Sequence, residues 1–292
     1  MTYTAGRLYV VATPIGNLDD LSARARAILQ SCSLIAAEDT RHTGLLLQHF
    51  GIATPLMSLH EHNERQRAGE IITQLRTGAS IAVVSDAGTP AISDPGFDLV
   101  RTAADAGIEV IAVPGPCAAI AALSIGGLPT DRFCFEGFLP ARGAARRKRL
   151  EMLANEMRTL VFYESPHRVH ETLEDCAKAF GDSRGATVAR EITKMHETTY
   201  RGSLRELAAR AGSDPDFRRG EIVLLIAGAP QVPDSDGALD KGLALDKVLK
   251  VLLAELPLKQ AAHLAAQITA VRGNEAYKRA LQLKQECGGR MP

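Results

Sequence analysis

Four short apolar runs near the start of the chain constrain its fold more than any other feature: RLYVVA (7–12), SLIAAE (33–38), SIAVVSD (80–86) and IEVIAVPG (108–115). They are strand-length and rich in Val, Ile, Leu and Ala with little polar alternation, the pattern of strands buried on both faces. Helical patterns lie between them. Residues 19–32 place Leu21, Ala25, Ile28 and Leu29 on one face, 43–51 close on Gly51, 62–78 have a polar first half, and 95–107 follow a loop. Strands alternating with helices in this way predict a parallel sheet covered by helices on both sides. The helix over 95–107 is expected to begin with Asp94 as its N-cap and Pro95 at its first position.

The segment VPGPCAAIAALSIGG (113–127) leaves the last of these strands like a hinge and starts a helix of small residues. Strand-like stretches at 159–168, 185–194 and 220–228, separated by helical stretches at 167–180 and 203–211, predict a second, mixed α/β domain. A Pro/Asp/Gly linker (229–242) leads to helical patterns broken by Pro257. The expected division is therefore an N-terminal α/β domain over 1–116, a C-terminal α/β domain over 117–231, and a helix-turn-helix-like extension over 240–292.

At 292 residues and 46% apolar, the chain is long enough for two cores. Lys plus Arg equals Asp plus Glu at 34 each, which excludes a basic field over the whole protein but not a local patch. One such patch is RGAARRKR (142–149), which reads either as a solvated helix face or as a contact for a phosphate backbone. The extension is basic too, and is expected either to pack on the core or to touch RNA. Five scattered cysteines without a CxxC pair suit a reducing compartment. No apolar window approaches the roughly 20 residues of a membrane span, so the expected location is the cytoplasm.

The loop SDAGTPAISDPG (85–96) ends the third apolar run. It has no Lys or Arg, so it is not a phosphate-binding loop of the GxxxxGK[ST] kind, and no GxGxxG fingerprint follows a strand. Asp86 and Asp94 would repel an anion. A neutral or cationic ligand held through backbone groups fits better, although an ornate turn with two capping aspartates is the plain alternative. Pro14, Gly16 and Asn17, after the first run, are expected at the same crevice, because ligands of open α/β sheets sit beyond the carboxyl ends of the strands. Charged residues collect after other strand ends as well: Glu38, Asp39 and Arg41; His60, Glu61, His62 and Arg65; Glu164, Arg168 and His170; Arg190, Glu191 and Lys194. His60 and His62 lack a third metal ligand nearby and read better as the rim of a cleft. Two such faces opposed across a hinge predict a deep inter-domain cleft.

Taken together, ATPIGNLDDLSARA, AEDTRHTGLLL, SLHEHNE, VVSDAGTPAISDPG, VPGPCAAIAAL, FCFEGFLP, FYESPHR and REITK resemble the bacterial small-subunit ribosomal RNA (cytidine-2′-O-)-methyltransferases of the tetrapyrrole methylase superfamily, and the likeness runs nearly end to end. It implies two α/β domains of the tetrapyrrole methylase type, S-adenosylmethionine in the cleft between them, and a homodimer acting on a decoding-centre cytidine of 16S rRNA within the small ribosomal subunit. Cofactor contacts implied by the resemblance are Pro14, Asp86, Gly88, Pro90, Ile92, Cys117, Ala118, Phe162, Tyr163, Ala189, Glu221 and Ile222. Cys117 stands where relatives commonly have serine. No metal is expected. Removing the proton of the ribose hydroxyl needs a base, for which Glu38, Asp39, His60, Glu61 and Glu164 are candidates. Arg41, Arg65, Arg168 and the cluster Arg146, Arg147, Lys148 and Arg149 are the expected RNA contacts. A methylase of small tetrapyrroles and a non-catalytic RNA-binding protein are the alternatives; the basic patch speaks against the first and the paired cleft faces against the second.

Overall fold

In the computed structural model, the described residues are 6–230 and 237–288; six residues of the expected linker, 231–236, and the ends 1–5 and 289–292 lie outside them. The chain divides into a unit over Met1–Ala229 and a second over Pro230–Pro292. The first unit contains two five-stranded sheets.

The first sheet is parallel throughout and has the order β3-β2-β4-β1-β5, formed by β1 (Arg7–Val11), β2 (Leu34–Ala37), β3 (Leu56–Ser58), β4 (Ile81–Val84) and β5 (Glu109–Val113). The continuous apolar runs behave as expected of doubly covered strands. On β4, Ile81 and Val83 join one core with Ile71, Leu75, Leu99 and Ala103, while Ala82 and Val84 join the opposite core with Ala25, Leu29 and Leu47. Those residues come from α1 (Ala23–Ser31), α2 (Thr40–His49), α3 (Glu64–Arg76) and α4 (Phe97–Asp105). Because the strands are parallel, their carboxyl ends share one edge, and the segments after Val11, Ala37, Val84 and Val113 emerge there side by side.

Helix α4 departs from the expected start. It begins at Phe97, after Gly96 at φ 128°, so Asp94 and Pro95 lie before it. Its first turn is capped from a distance. Glu64, a residue only 7% exposed, accepts the backbone N–H groups of Gly96 (3.1 Å) and Leu99 (2.9 Å) on one carboxylate oxygen. That relieves the unpaired donors of a helix start and leaves Asp94 for other work.

The second sheet is mixed, in the order β6-β7-β10-β8-β9. Its strands are β6 (Phe133–Phe138), β7 (Thr159–Glu164), β8 (Gly185–Arg190), β9 (Thr198–Ser203) and β10 (Ile222–Ile226). Phe162, Val188 and Leu224 point into a core built with α6 (Gly143–Leu153), α7 (Val169–Phe180) and α8 (Leu204–Ser213). On the other face, Val161, Ala189, Val223 and Leu225 pack on α5 (Ala118–Gly126), together with Ile15 from the turn after β1. Ile15 thus joins the two sheets through a shared apolar cluster. Register aligns Glu164 and Arg190 with Ile222, so three strand ends meet at one edge of this sheet.

In the second unit, α9 (Gly237–Glu255), α10 (Leu258–Thr269) and α11 (Gly273–Gly288) enclose Leu249, Ala262, Ala265, Ala276 and Ala280. Arg279 on α11 donates to both oxygens of Asp246 on α9. Among the described residues, no helix is long and apolar enough to cross a membrane.

Candidate functional site

The two edges of strand ends enclose a cavity of about 340 Å3. From the first sheet it is lined by Ala87, Gly88, Thr89, Ile92, Ser93 and Asp94, all of the loop after β4. Cys117 and Ala118 at the start of α5, Phe138 on β6, and Tyr163 to Pro166 add further wall, and Glu221, Ile222 and Val223 close it from β10. Among the described residues, no Lys, Arg or His lines it. The loop is bent to fit. Gly88 takes φ 82°, and Ala91 and Ser93 take φ 67° and 65°, a region that costs a non-glycine residue about 1–3 kcal/mol and persists where surrounding structure enforces it. A short pairing fixes its base, with Gly88 and Thr13 exchanging backbone hydrogen bonds at 2.9 and 3.0 Å.

A second cavity of about 320 Å3 adjoins the first and shares Ile15, Ala87 and Glu221 with it. Pro14, Gly16, His42, Leu45, Leu46, Asp86 and Lys194 complete most of its wall. Lys194 reaches it from the loop after β8, where Glu191 and Thr193 also have positive φ. The fit is close: a Cβ on Gly16 would lie 2.4 Å from Lys194 Cγ.

Acidic groups gather at the floor. Asp86 Oδ1 accepts the Asp39 backbone N–H at 2.9 Å. Burial, and then the charges of Asp94 and Asp86, push the Glu38 carboxyl above the ordinary glutamate range. Asp94 is raised as well, by burial first and also by Asp86, against a bond from Ser85 that lowers it. Burial and the neighbouring Cys117 push the Tyr163 phenol up.

The expected site residues are distributed as follows. Gly88, Ile92, Cys117, Ala118, Tyr163, Glu221 and Ile222 line the first cavity, and Pro14 and Asp86 the second. Pro90 is among the lining residues of neither. Two more expected contacts line neither cavity: strand alternation points the Phe162 side chain into the core on the far face of the second sheet, whereas Ala189 is on the same face as the cavity residue Val223 but is buried under α5. Asp94 was expected to be a helix cap, yet it lines the first cavity, whereas Asp86 spends an oxygen on the scaffold.

The five base candidates separate. Glu164 has a fully buried carboxylate that accepts from Ser165 N–H, Arg168 and the Thr172 hydroxyl at 2.5–2.9 Å. Its oxygens are occupied, so it holds the fold and serves poorly as a base. Asp39 caps α2 and is paired with Arg41, whose hydrogen bonds hold its carboxyl well below the usual range. His60 and Glu61 follow β3, at the edge of the first sheet, and line neither cavity; His60 Nε2 lies 3.1 Å from Asn63 Nδ2. Glu38, the residue after β2, also lines neither cavity, but its carboxyl is raised by burial and by the charges of the cavity residues Asp94 and Asp86, which sets it apart from the other four.

The basic cluster on α6 also divides. Arg146 is 3% exposed and donates to Asp175 at 2.8 Å and Glu171 at 3.3 Å, so it cannot reach a phosphate. Arg147 and Lys148 are exposed, Arg149 is paired with Glu136, and Arg168 is held by Glu164. Arg41 and Arg65 are about 90% exposed, each in a surface pair with an aspartate. Lys194 was expected on a cleft face and lines the second cavity, whereas Ile192 and Phe138 are cavity residues that sequence reasoning missed; the REITK motif was the available signal for Ile192.

Residues 7–208 match the family Tetrapyrrole (Corrin/Porphyrin) Methylases, and residues 240–284 match the RsmI C-terminal HTH domain. The chain is 56% identical over 279 residues to ribosomal RNA small subunit methyltransferase I of Pseudomonas aeruginosa, covering 96% of this chain and 98% of that one. It is 53% identical over 279 residues to the protein of the same name from Escherichia coli O157:H7, covering 95% of each. Among solved structures, the uroporphyrin-III C-methyl transferase of Thermus thermophilus complexed with S-adenyl homocysteine superposes with a TM-score of 0.52 at 16% identity, over 76% of this chain and 97% of that one, a likeness of fold. The chain belongs to the tetrapyrrole methylases and, among them, to the ribosomal RNA small subunit methyltransferase I family.

Proposed function

We propose that this protein transfers the methyl group of S-adenosylmethionine to the ribose 2′-hydroxyl of a cytidine in the decoding centre of small-subunit rRNA, working as a cytoplasmic homodimer on the ribosomal subunit. The coarser activity, methylation of small-subunit rRNA, rests on close relatives of that name that match nearly the whole chain. The observation that carries the cofactor assignment is the first cavity: it has no cationic side chain among the described residues, a strained loop offers backbone, and Asp94 supplies negative charge. Those residues suit an adenosine with a cationic sulfonium and would repel a polyphosphate. When bound, S-adenosylmethionine supplies an electrophilic methyl group on sulfur.

The protein's part is alignment and proton removal. Ile15, Ile192, Tyr163 and Val223 line the cavity with apolar surface and keep water from the methyl group. Glu38, kept above its ordinary pKa, would take the proton of the ribose hydroxyl. Arg41, Arg65, Arg147 and Lys148 are the phosphate contacts. The expected segments 1–116, 117–231 and 240–292 divide the labour, with the first two holding the cofactor and the last adding contacts to the subunit.

The test is transfer of a tritiated methyl group from S-adenosylmethionine. The expected acceptor is the small subunit from cells lacking this activity; labelling of a tetrapyrrole instead would favour the small-molecule reading.

A further inference from the structure

The second cavity holds a donor and an acceptor fixed side by side. Lys194 Nζ lies 3.1 Å from Glu191 Oε1 and 3.2 Å from Glu221 Oε2. Glu191 is immobilised, since its Oε1 also accepts the Glu221 backbone N–H at 2.8 Å and its side chain is only 18% exposed. Glu221 is different: its side chain is 74% exposed, and Lys194 is the one partner its carboxylate has among the described residues. An ammonium has three donors and a carboxylate about four acceptor sites, so each group keeps capacity after pairing with the other. Lys194 stays charged, because its bonds to the two glutamates outweigh the burial that opposes its charge. Lys194 is also held in place. The Lys194 stem passes over Gly16, where no side chain fits, and the loop that carries it has left-handed backbone at Glu191 and Thr193.

This pair faces a cavity with apolar walls at Leu45 and Leu46, large enough for a small planar group. An acceptor beside a donor matches a nucleobase edge with an amino group next to a ring acceptor. Cytosine presents that order, and uracil, with a keto oxygen next to N–H, presents the reverse. A carboxylate accepting from the cytosine amino group is an established pairing, and enzymes acting on a nucleotide commonly take it out of its stack into a pocket.

We propose that Glu221 and Lys194 read the base of the target nucleotide in the second cavity, Glu221 accepting from an exocyclic amino group and Lys194 donating to the adjacent ring acceptor, so that cytosine is admitted and uracil refused. This rests on the rRNA methyltransferase reading above and adds the origin of base selection. Gly16 and Glu191 act through Lys194 and are positioning residues.

The test compares methylation of small subunits reconstituted with cytidine or with uridine at the target, by the full-length wild type, E221Q and K194M. Calorimetry with S-adenosylmethionine on each protein reports whether the first cavity is intact. The wild type should favour cytidine. E221Q, whose amide can also donate, should lose about tenfold or more of that preference when both substrates are compared at saturating S-adenosylmethionine, a condition needed because Glu221 also walls the first cavity. K194M should weaken use of the cytidine substrate and also lower the ratio. If the wild type methylates neither substrate, the rRNA reading itself falls. If the wild type favours cytidine and both variants slow the two substrates equally, or if the wild type does not discriminate, base reading by this pair is overturned. Should E221Q fail to bind cofactor, the ratio measured with K194M decides.

Discussion

The Asp39 backbone N–H donates to Asp86 Oδ1 at 2.9 Å, tying the end of β2 to the end of β4 at the floor of the cleft. Through this bond the aspartate that looks most like a ligand in the sequence becomes part of the scaffold, and Glu38, the residue before Asp39, is fixed beside Asp86 and Asp94. Asp86→Ala should lower stability by about 1–3 kcal/mol, the cost of leaving a partly buried donor unpaired, whereas Asp86→Asn keeps an acceptor and should cost less. Urea denaturation of the two variants checks the order. Equal losses would show that the bond does not matter.

As the proposed base, Glu38 would set the acid limit of the reaction. A base must be deprotonated to act, and its raised pKa means that activity falls off on the acid side at a higher pH than an ordinary glutamate would impose. A pH profile of kcat should show one acidic limb above the usual glutamate range. Asp94→Asn and Asp86→Asn should each move that limb to lower pH, since each removes a neighbouring negative charge that favours the protonated form. Glu38→Gln should reduce kcat by about 10²-fold or more and leave cofactor affinity nearly unchanged.

The α6 cluster should split into structural and surface members. Removing the charge of Arg146, as in Arg146→Met, leaves Asp175 buried without its closest partner and should cost about 3–5 kcal/mol. Arg147→Gln with Lys148→Gln removes only the longer, 3.8 Å pairing of Asp175, so it should disturb thermal unfolding much less than Arg146→Met and lower the slope of log affinity against log salt by about 0.7–0.9 for each phosphate no longer neutralised. Filter binding of small subunits over a salt series separates the two classes.

Gly16→Ala should move Lys194. The added Cβ would fall 2.4 Å from Lys194 Cγ and 3.1 Å from Thr193 Oγ1, so the lysine stem or the turn must shift. Turnover on rRNA should drop while S-adenosylmethionine binding stays within about twofold, because the first cavity is built mainly from other segments. Loss of cofactor affinity instead would show that the two cavities are not separable at this turn.

Much of the first sheet was legible because β2 and β4 are buried on both faces and, with β1 and the partly exposed edge strand β5, leave short apolar runs in the sequence. The edge strand β9, TTYRGS, carries only one fully buried residue and reads as a loop. The loop 85–96 was legible as part of the cleft wall, and its missing cations motivate the proposed ligand without negative charge. The roles of its two aspartates were not legible, because they depend on partners far away in sequence: Glu64 caps α4 from 32 residues upstream of Gly96, and Asp39 occupies Asp86 across 47. Arg146 misled for the same reason. A run of basic residues looks solvated until Asp175, 29 residues on, is seen to turn one of them inward.

The most direct measurement is mapping the methyl group on small-subunit rRNA after single-turnover reaction with labelled S-adenosylmethionine, using the wild type and Glu38→Gln. One labelled cytidine is expected, modified on the ribose 2′-oxygen, with the label nearly absent for the variant. A label on a base rather than a ribose, or equal labelling by the two proteins, would contradict it.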